Sequence, residues 1–227
     1  MQSIEYLRKY HKDVQFITGG YAEIDAIPSE WKIALGMPDE AKKKYIIDFW
    51  KKDFSDLLCN LISYLEKNLV SVDLIQYRDR YSLLYGISST AGRTLYYEGM
   101  VPLSVDTKPN PIKDWERFPE KIKRFYTSLH NGFFYYASHS MGLSPVNEIF
   151  LFDDEDWHIL EELAEPIQID LENTYGIFAS GMGGYVAVDL CNCENDNSVI
   201  WFTAKQPIYN KNFWSVVDEW TVLGFEE

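Results

Sequence analysis

Few residues in this sequence are of the kinds that do chemistry, and they are scattered. There are four histidines (His11, His130, His139 and His158) and three cysteines (Cys59, Cys191 and Cys193). A zinc site wants three or four ligands at tight spacing, such as Cys-x2-Cys with a second pair. Cys191 and Cys193 have one residue between them and no later partner motif, while His130 and His139 stand nine apart on different elements. No metal is expected, and each histidine reads as a structural or surface residue. Ser180 in "FASGMGG" has the look of an elbow nucleophile. That motif, however, requires Gly-x-Ser-x-Gly followed by a helix, and here Ala179 precedes the serine and a strand-like run comes after it.

The glycines beside it, Gly181, Gly183 and Gly184, invite a phosphate-binding reading. Phosphate loops close a strand and open a helix, whose first amides hold the anion. These glycines lead instead into "YVAVDL", in which Val186, Val188 and Leu190 alternate with Tyr185, Ala187 and Asp189. Such alternation marks a strand, and there is no Lys-Ser/Thr pair and no complete GxGxxG. "SGMGG" is therefore expected to join two strands as a hairpin loop, and no cofactor is expected.

The acids are the stronger signal. The formal net charge is −14. Residues 1–114 hold 16 acids and 15 bases, whereas residues 115–227 hold 19 acids and 6 bases. No Lys or Arg occurs between Arg124 and Lys205, a stretch that carries 13 acids. Binding to nucleic acid through phosphates needs a basic footprint and is disfavoured. Attraction of a basic partner fits, as does a well-solvated acidic surface. The run Asp153, Asp154, Glu155, Asp156, continued by Glu161, Glu162 and Glu165, is the leading candidate interface. Trp157 within it reads either as an aromatic anchor for a partner or as a core residue beneath an acidic helix. Four consecutive acids lack the alternating ligands and central glycine of a calcium loop.

The elements that must position these residues read as α+β. After a short helix at 3–13 and a loop through Pro28, a helix opens behind "GMPDE", with Pro38 in its first turn. One apolar stripe runs along Ile46, Trp50, Phe54, Leu57, Leu58, Leu61 and Leu65. "LVSVDLIQY", "YSLLYGIS" and "TLYYEGM" read as strands. Three prolines in "SVDTKPNPIKDWERFP" (104–119) suggest a boundary, dividing an N-terminal α+β extension or module (1–110) from a second domain (111–227). Phe118, Ile122, Phe125 and Leu129 mark a helix that stops at Asn131-Gly132. Strands are expected at "FFYYA" and "NEIFLF", a short acidic helix at "DDEDWHILEELAEP", and a strand at "VIWFT". A terminal helix carries Phe213, Val216, Val217, Trp220 and Leu223, with Gly224 as its stop. The N-terminus lacks the apolar core of a secretory signal, and the longest stretch without a charge, residues 125–147, is too polar to span a bilayer. A cytoplasmic location is expected, and the odd cysteine count suits a reducing compartment.

"FPEKIKRFYTSLHNGFF", "IFASGMGGYVAVDL", "VIWF" and "FWSVVDEWTVL" occur in an order that resembles the SMI1/KNR4, or SUKH, superfamily. The resemblance covers residues 116–225; residues 1–110 have no counterpart in it. It implies an α+β domain built on a curved, mainly antiparallel sheet flanked by helices. It also implies a role. Most bacterial members look like immunity proteins that neutralise a cognate polymorphic toxin, often a nuclease, whereas fungal members are linked to cell-wall regulation. The expectation is a non-enzymatic antitoxin that occludes a basic toxin; the alternative is a regulatory or scaffold protein binding cellular partners. A third reading places a hydrolase site in the N-terminal module.

Overall fold

The computed structural model describes residues 2–103 and 112–226. Its first helix, α1 (Gln2–Leu7), is shorter than expected, and the His11 amide closes the turn after it on the Leu7 carbonyl. β1 (Gln15–Ile17) occupies part of the stretch read as loop, and α2 (Ser29–Leu35) follows Pro28, ahead of the helix expected behind "GMPDE". Pro28 and Pro38 stand directly before α2 and α3 (Asp39–Phe54), where a missing N–H costs nothing.

Ile46, Trp50, Phe54, Leu58, Leu61 and Leu65 are all buried, but they are divided between two helices, α3 and α4 (Cys59–Asn68), with Leu58 in the break between them. The break at residues 55–58 preserves the four-three-four spacing of the stripe, so periodicity runs straight through it. The new helix start is capped from far along the chain. Leu58 offers no side-chain acceptor there. The carboxylate of Asp218 accepts instead, from the amides of Asn60 at 3.1 Å and Leu61 at 2.7 Å. These are among the four amides that a helix start leaves without partners.

Eleven strands among the described residues form one sheet, and every pairing in it is antiparallel. β2 (Leu69–Tyr77), β3 (Arg80–Ser88) and β4 (Thr94–Met100) make a meander, as their β-branched and aromatic runs predict. β4 then pairs with β5 (Phe133–Tyr135), Tyr97 opposite Tyr135. The sheet continues through β6 (Met141–Leu143), β8 (Thr174–Ser180), β9 (Gly184–Asp189), β10 (Asn197–Phe202) and β11 (Ile208–Asn212). β7 (Phe150–Leu151) joins β8. Residues 104–111 of the expected boundary lie outside the described residues. The sheet and the main buried cluster extend through both halves, from Trp31 and Trp50 to Phe178 and Trp214.

The helices α3, α4 and α6 (Phe213–Glu226) cover one face of the sheet. On the other face, Leu7 and Val14 pack on Ile75, Leu84 and Tyr136. Further along that face, Phe152 and Trp157 pack on Ala187 and Trp201. In β9, Val186 and Val188 thus join the helix-side cluster and Ala187 the opposite one, as the alternation predicts.

Ile122, Phe125 and Leu129 are buried on α5 (Glu120–Arg124) and the π-helical turn Phe125–Leu129 that continues it, while Phe118, also buried, precedes the helix. The helical run ends at Leu129, with His130 already extended, just before the expected Asn131-Gly132, where Gly132 takes φ +85°. The stop expected at Gly224 is not one, because α6 runs on to Glu226. A Cβ on Gly224 would lie 2.6 Å from Met141 Cε and 2.8 Å from the Tyr97 hydroxyl oxygen. Glycine there serves close packing, with the helix seated tightly on β4 and β6. No helix among the described residues is long and apolar enough to cross a membrane.

Candidate functional site

The β8–β9 hairpin turns through Gly181 and Gly183, both with positive φ (+77° and +74°), and leads into a strand. The Ser180 hydroxyl oxygen accepts hydrogen bonds from the amides of Met182 at 3.3 Å and Gly184 at 3.0 Å. Ser180 is thus engaged in fastening the turn. A Cβ on Gly184 would strike the Phe202 ring at 2.5 Å. Turn geometry and strand packing account for these residue types.

The acid run comes directly after β7. Phe152–Asp154 and His158–Glu161 are separate 3-10 turns, and no α-helix forms where a short acidic one was expected. The reason lies in the inward residues. Phe152, Trp157, Ile159, Ile167, Ile169 and Leu171 meet the sheet face at irregular spacing that no 3.6-residue repeat could supply. Asp153, Asp154, Glu155, Asp156, Glu161, Glu162 and Glu165 are all exposed. Among the described residues none of them forms an ion pair with Lys or Arg; Asp156 lies 3.3 Å from His158. Trp157 is 8% exposed, and its ring stacks on Trp201 with centroids 4.2 Å apart and planes 13° from parallel. Its indole N–H donates to the Phe152 carbonyl at 2.6 Å. The ring thus occupies the core position under the acid run, with nearly all of it covered.

Beside the run lies a depression of about 610 Å³, lined by Glu148, Phe150, Glu155, Asp156 and Tyr185. A second, of about 300 Å³, shares Glu148, Phe150 and Tyr185 with it and reaches His139 and the glycine hairpin. Aromatic walls with carboxylates at the rim can hold a cationic side chain by ring-face attraction and charge pairing together. The sequence offered Glu155 and Asp156 as candidates but missed Glu148, Phe150 and Tyr185, which lie on other elements and reach the site only through the β7–β8–β9 pairing.

The histidines fall into separate environments. His130 is wholly buried and His158 exposed. The rings of His11 and His139 lie 5.8 Å apart, and His139 adopts φ +54° with its Nδ1 3.4 Å from a Glu148 carboxylate oxygen. The partly buried Glu98 lines a small cavity together with His11 and His139, and burial raises its pKa above the usual carboxylate value. Burial likewise lowers the pKa of His11, helped by His139 and Arg80. No group of three or more His, Cys, Asp or Glu among the described residues could hold a metal ion, and the three cysteines are free thiols.

No protein-family model, curated protein or solved structure matches the chain.

Proposed function

We propose that this chain is an immunity protein of the SUKH kind, which neutralises a cognate basic toxin, such as a nuclease, by stoichiometric occlusion. The observation that carries this reading is the exposed run Asp153, Asp154, Glu155 and Asp156, free of Lys or Arg partners among the described residues and set beside an aromatic-walled depression. It lies within a stretch that has 13 acids and no Lys or Arg.

A nuclease active site must attract a polyanion and is correspondingly basic. An inhibitor with a concentrated negative field meets such a site faster than diffusion between neutral surfaces allows. Occlusion then needs no chemistry from the inhibitor, only a surface that covers the toxin's own site. The resemblance of its motif order to the SUKH superfamily supports the same role.

The test is co-purification with the protein encoded by the neighbouring gene, followed by charge reversal. Substituting Lys at Asp153, Asp154 and Asp156 together is expected to slow association by about tenfold or more at low salt and to flatten its salt dependence. No complex with the wild-type chain, or toxin-expressing cells that die regardless of it, would end this reading. An on-rate unchanged by the reversal would place the interface on another surface.

A further inference from the structure

Turn geometry explains Gly181 and Gly183 but not the residue between them. Met182 is 74% exposed, more than any other large hydrophobic residue described. Nothing in a positive-φ turn calls for an apolar side chain at its tip, and water disfavours one there. On the helix side of that tip lies a cleft of about 430 Å³, walled by Leu95, Tyr97, Met141, Phe202 and Trp220. Leu223, 50% exposed, lines it as well. On the other side lies the smaller depression of about 300 Å³, which carries Glu148 and shares Phe150 and Tyr185 with the acid-run depression; Ser140 and Gly181 line both it and the cleft. The exposed apolar tip therefore stands between a mainly apolar cleft, which Arg93 also lines, and a hollow that carries Glu148 and leads on to the acid run.

We propose that Met182 and the cleft beside it form the apolar anchor of the binding surface. The partner straddles the hairpin tip, seats an aliphatic or aromatic side chain in the cleft, and lays Lys or Arg over Glu148, Glu155 and Asp156. This inference rests on the reading of the chain as a binder of a basic protein, and it supplies the part of the interface that charge does not. Charge sets the rate of encounter, whereas desolvated apolar anchors set how long a complex lasts. Methionine suits the position, because its flexible thioether adapts to a partner's contours. The neighbouring acids select the occupant. A small apolar ligand would gain nothing from them, and a second copy would set acid against acid.

The experiment compares wild type with Met182→Glu/Leu223→Glu by surface plasmon resonance, using the neighbouring gene's product as probe. Both residues are exposed, so the variant should keep its melting temperature; Met182→Ala/Leu223→Ala provides a milder pair. Dissociation is expected to quicken by about a hundredfold in the glutamate pair, with the association rate changed about threefold or less. A wild-type complex that the variants leave within twofold would overturn the anchor and spare the acidic-face reading. Absence of any wild-type complex would overturn both. Sedimentation of the chain by itself should show a monomer. A dimer abolished by Met182→Glu would assign this face to a second copy and overturn the proposal, as would a tightly held apolar small molecule released on denaturation.

Discussion

Tyr85 and His130 share a 2.7 Å hydrogen bond in the interior, where neither reaches water. The Trp50 indole N–H donates to the Tyr85 oxygen at 3.1 Å. Tyr85 can then donate to Nε2 of a neutral His130, whose Nδ1 faces the Met100 carbonyl at 3.4 Å. The chain of donors closes only if the imidazole carries a single proton.

This arrangement makes stability depend on pH. Burial lowers the His130 pKa from 6.5 to about 3. The unfolded chain takes up a proton below about pH 6.5, and the folded chain refuses it until about pH 3. The stability owed to neutral His130 is thus complete above that window and is lost as pH falls through it, at up to about 1.4 kcal/mol per pH unit. Urea titrations of His130→Gln should show a shallower slope than wild type between about pH 6.5 and 5, above the range where most carboxylates titrate, with the remainder owed to His11, whose pKa burial also lowers. The same slope in wild type and variant would refute the assignment.

The cap supplied by Asp218 gives a second expectation. Its carboxylate, 3% exposed, also accepts from the Asn60 side-chain amide at 2.9 Å. Asp218→Ala would strand the buried Leu61 amide and leave the part-buried Asn60 amide without its partner at the start of α4, and should cost about 2–4 kcal/mol. Chemical denaturation measures it, and a loss below about 0.5 kcal/mol would show that α4 needs no such partner.

Two glycines with positive φ, Gly142 within β6 and Gly183 in the β8–β9 turn, should respond very differently to a methyl group. Gly142 has φ +123°, and a Cβ there would lie 2.7 Å from Phe134 Cα on the paired strand. Gly183 has φ +74°, with nothing nearer to such a Cβ than the Thr203 hydroxyl at 3.5 Å. Gly142→Ala should destabilise by about 3 kcal/mol or more through backbone collision, and Gly183→Ala by about 1–2 kcal/mol through conformational strain. Thermal melts that rank them the other way would contradict the geometry.

Trp157 tests whether a residue inside the acid run binds or supports. Trp157→Ala removes the ring stacked on Trp201 and should cost about 3–5 kcal/mol of stability. Trp157→Phe should keep the fold and leave partner affinity within about threefold. A large affinity loss in the Phe variant, with its melting temperature intact, would make the ring a contact residue.

The sequence made the long strands legible. "LVSVDLIQY" and "TLYYEGM" match β2 and β4 residue for residue, and the glycine hairpin opens into β9 as its alternating valines require. β1, β6 and β11 were not legible, because three to five residues such as "QFI" or "MGL" are too short to show a period. The break between α3 and α4 left no mark in the pattern, since the partner that permits it lies 157 residues away from Leu61. At the site, composition exposed the acids. It could not show that Trp157 turns inward, or that Glu148, Phe150 and Tyr185 gather beside them, because those neighbours are set by strand register.

The pairing of β4 with β5 bears on how the protein is made. A ribosome delivers residues 94–100 well before residues 133–135, so the nascent meander waits with one flank of hydrogen-bonding groups unmet. During that interval it is open to a neighbouring copy, and slow synthesis or an early stop would favour clumping. A fragment ending near residue 110 keeps that raw flank permanently. Expression of the full chain is therefore the condition under which the first half stays monodisperse.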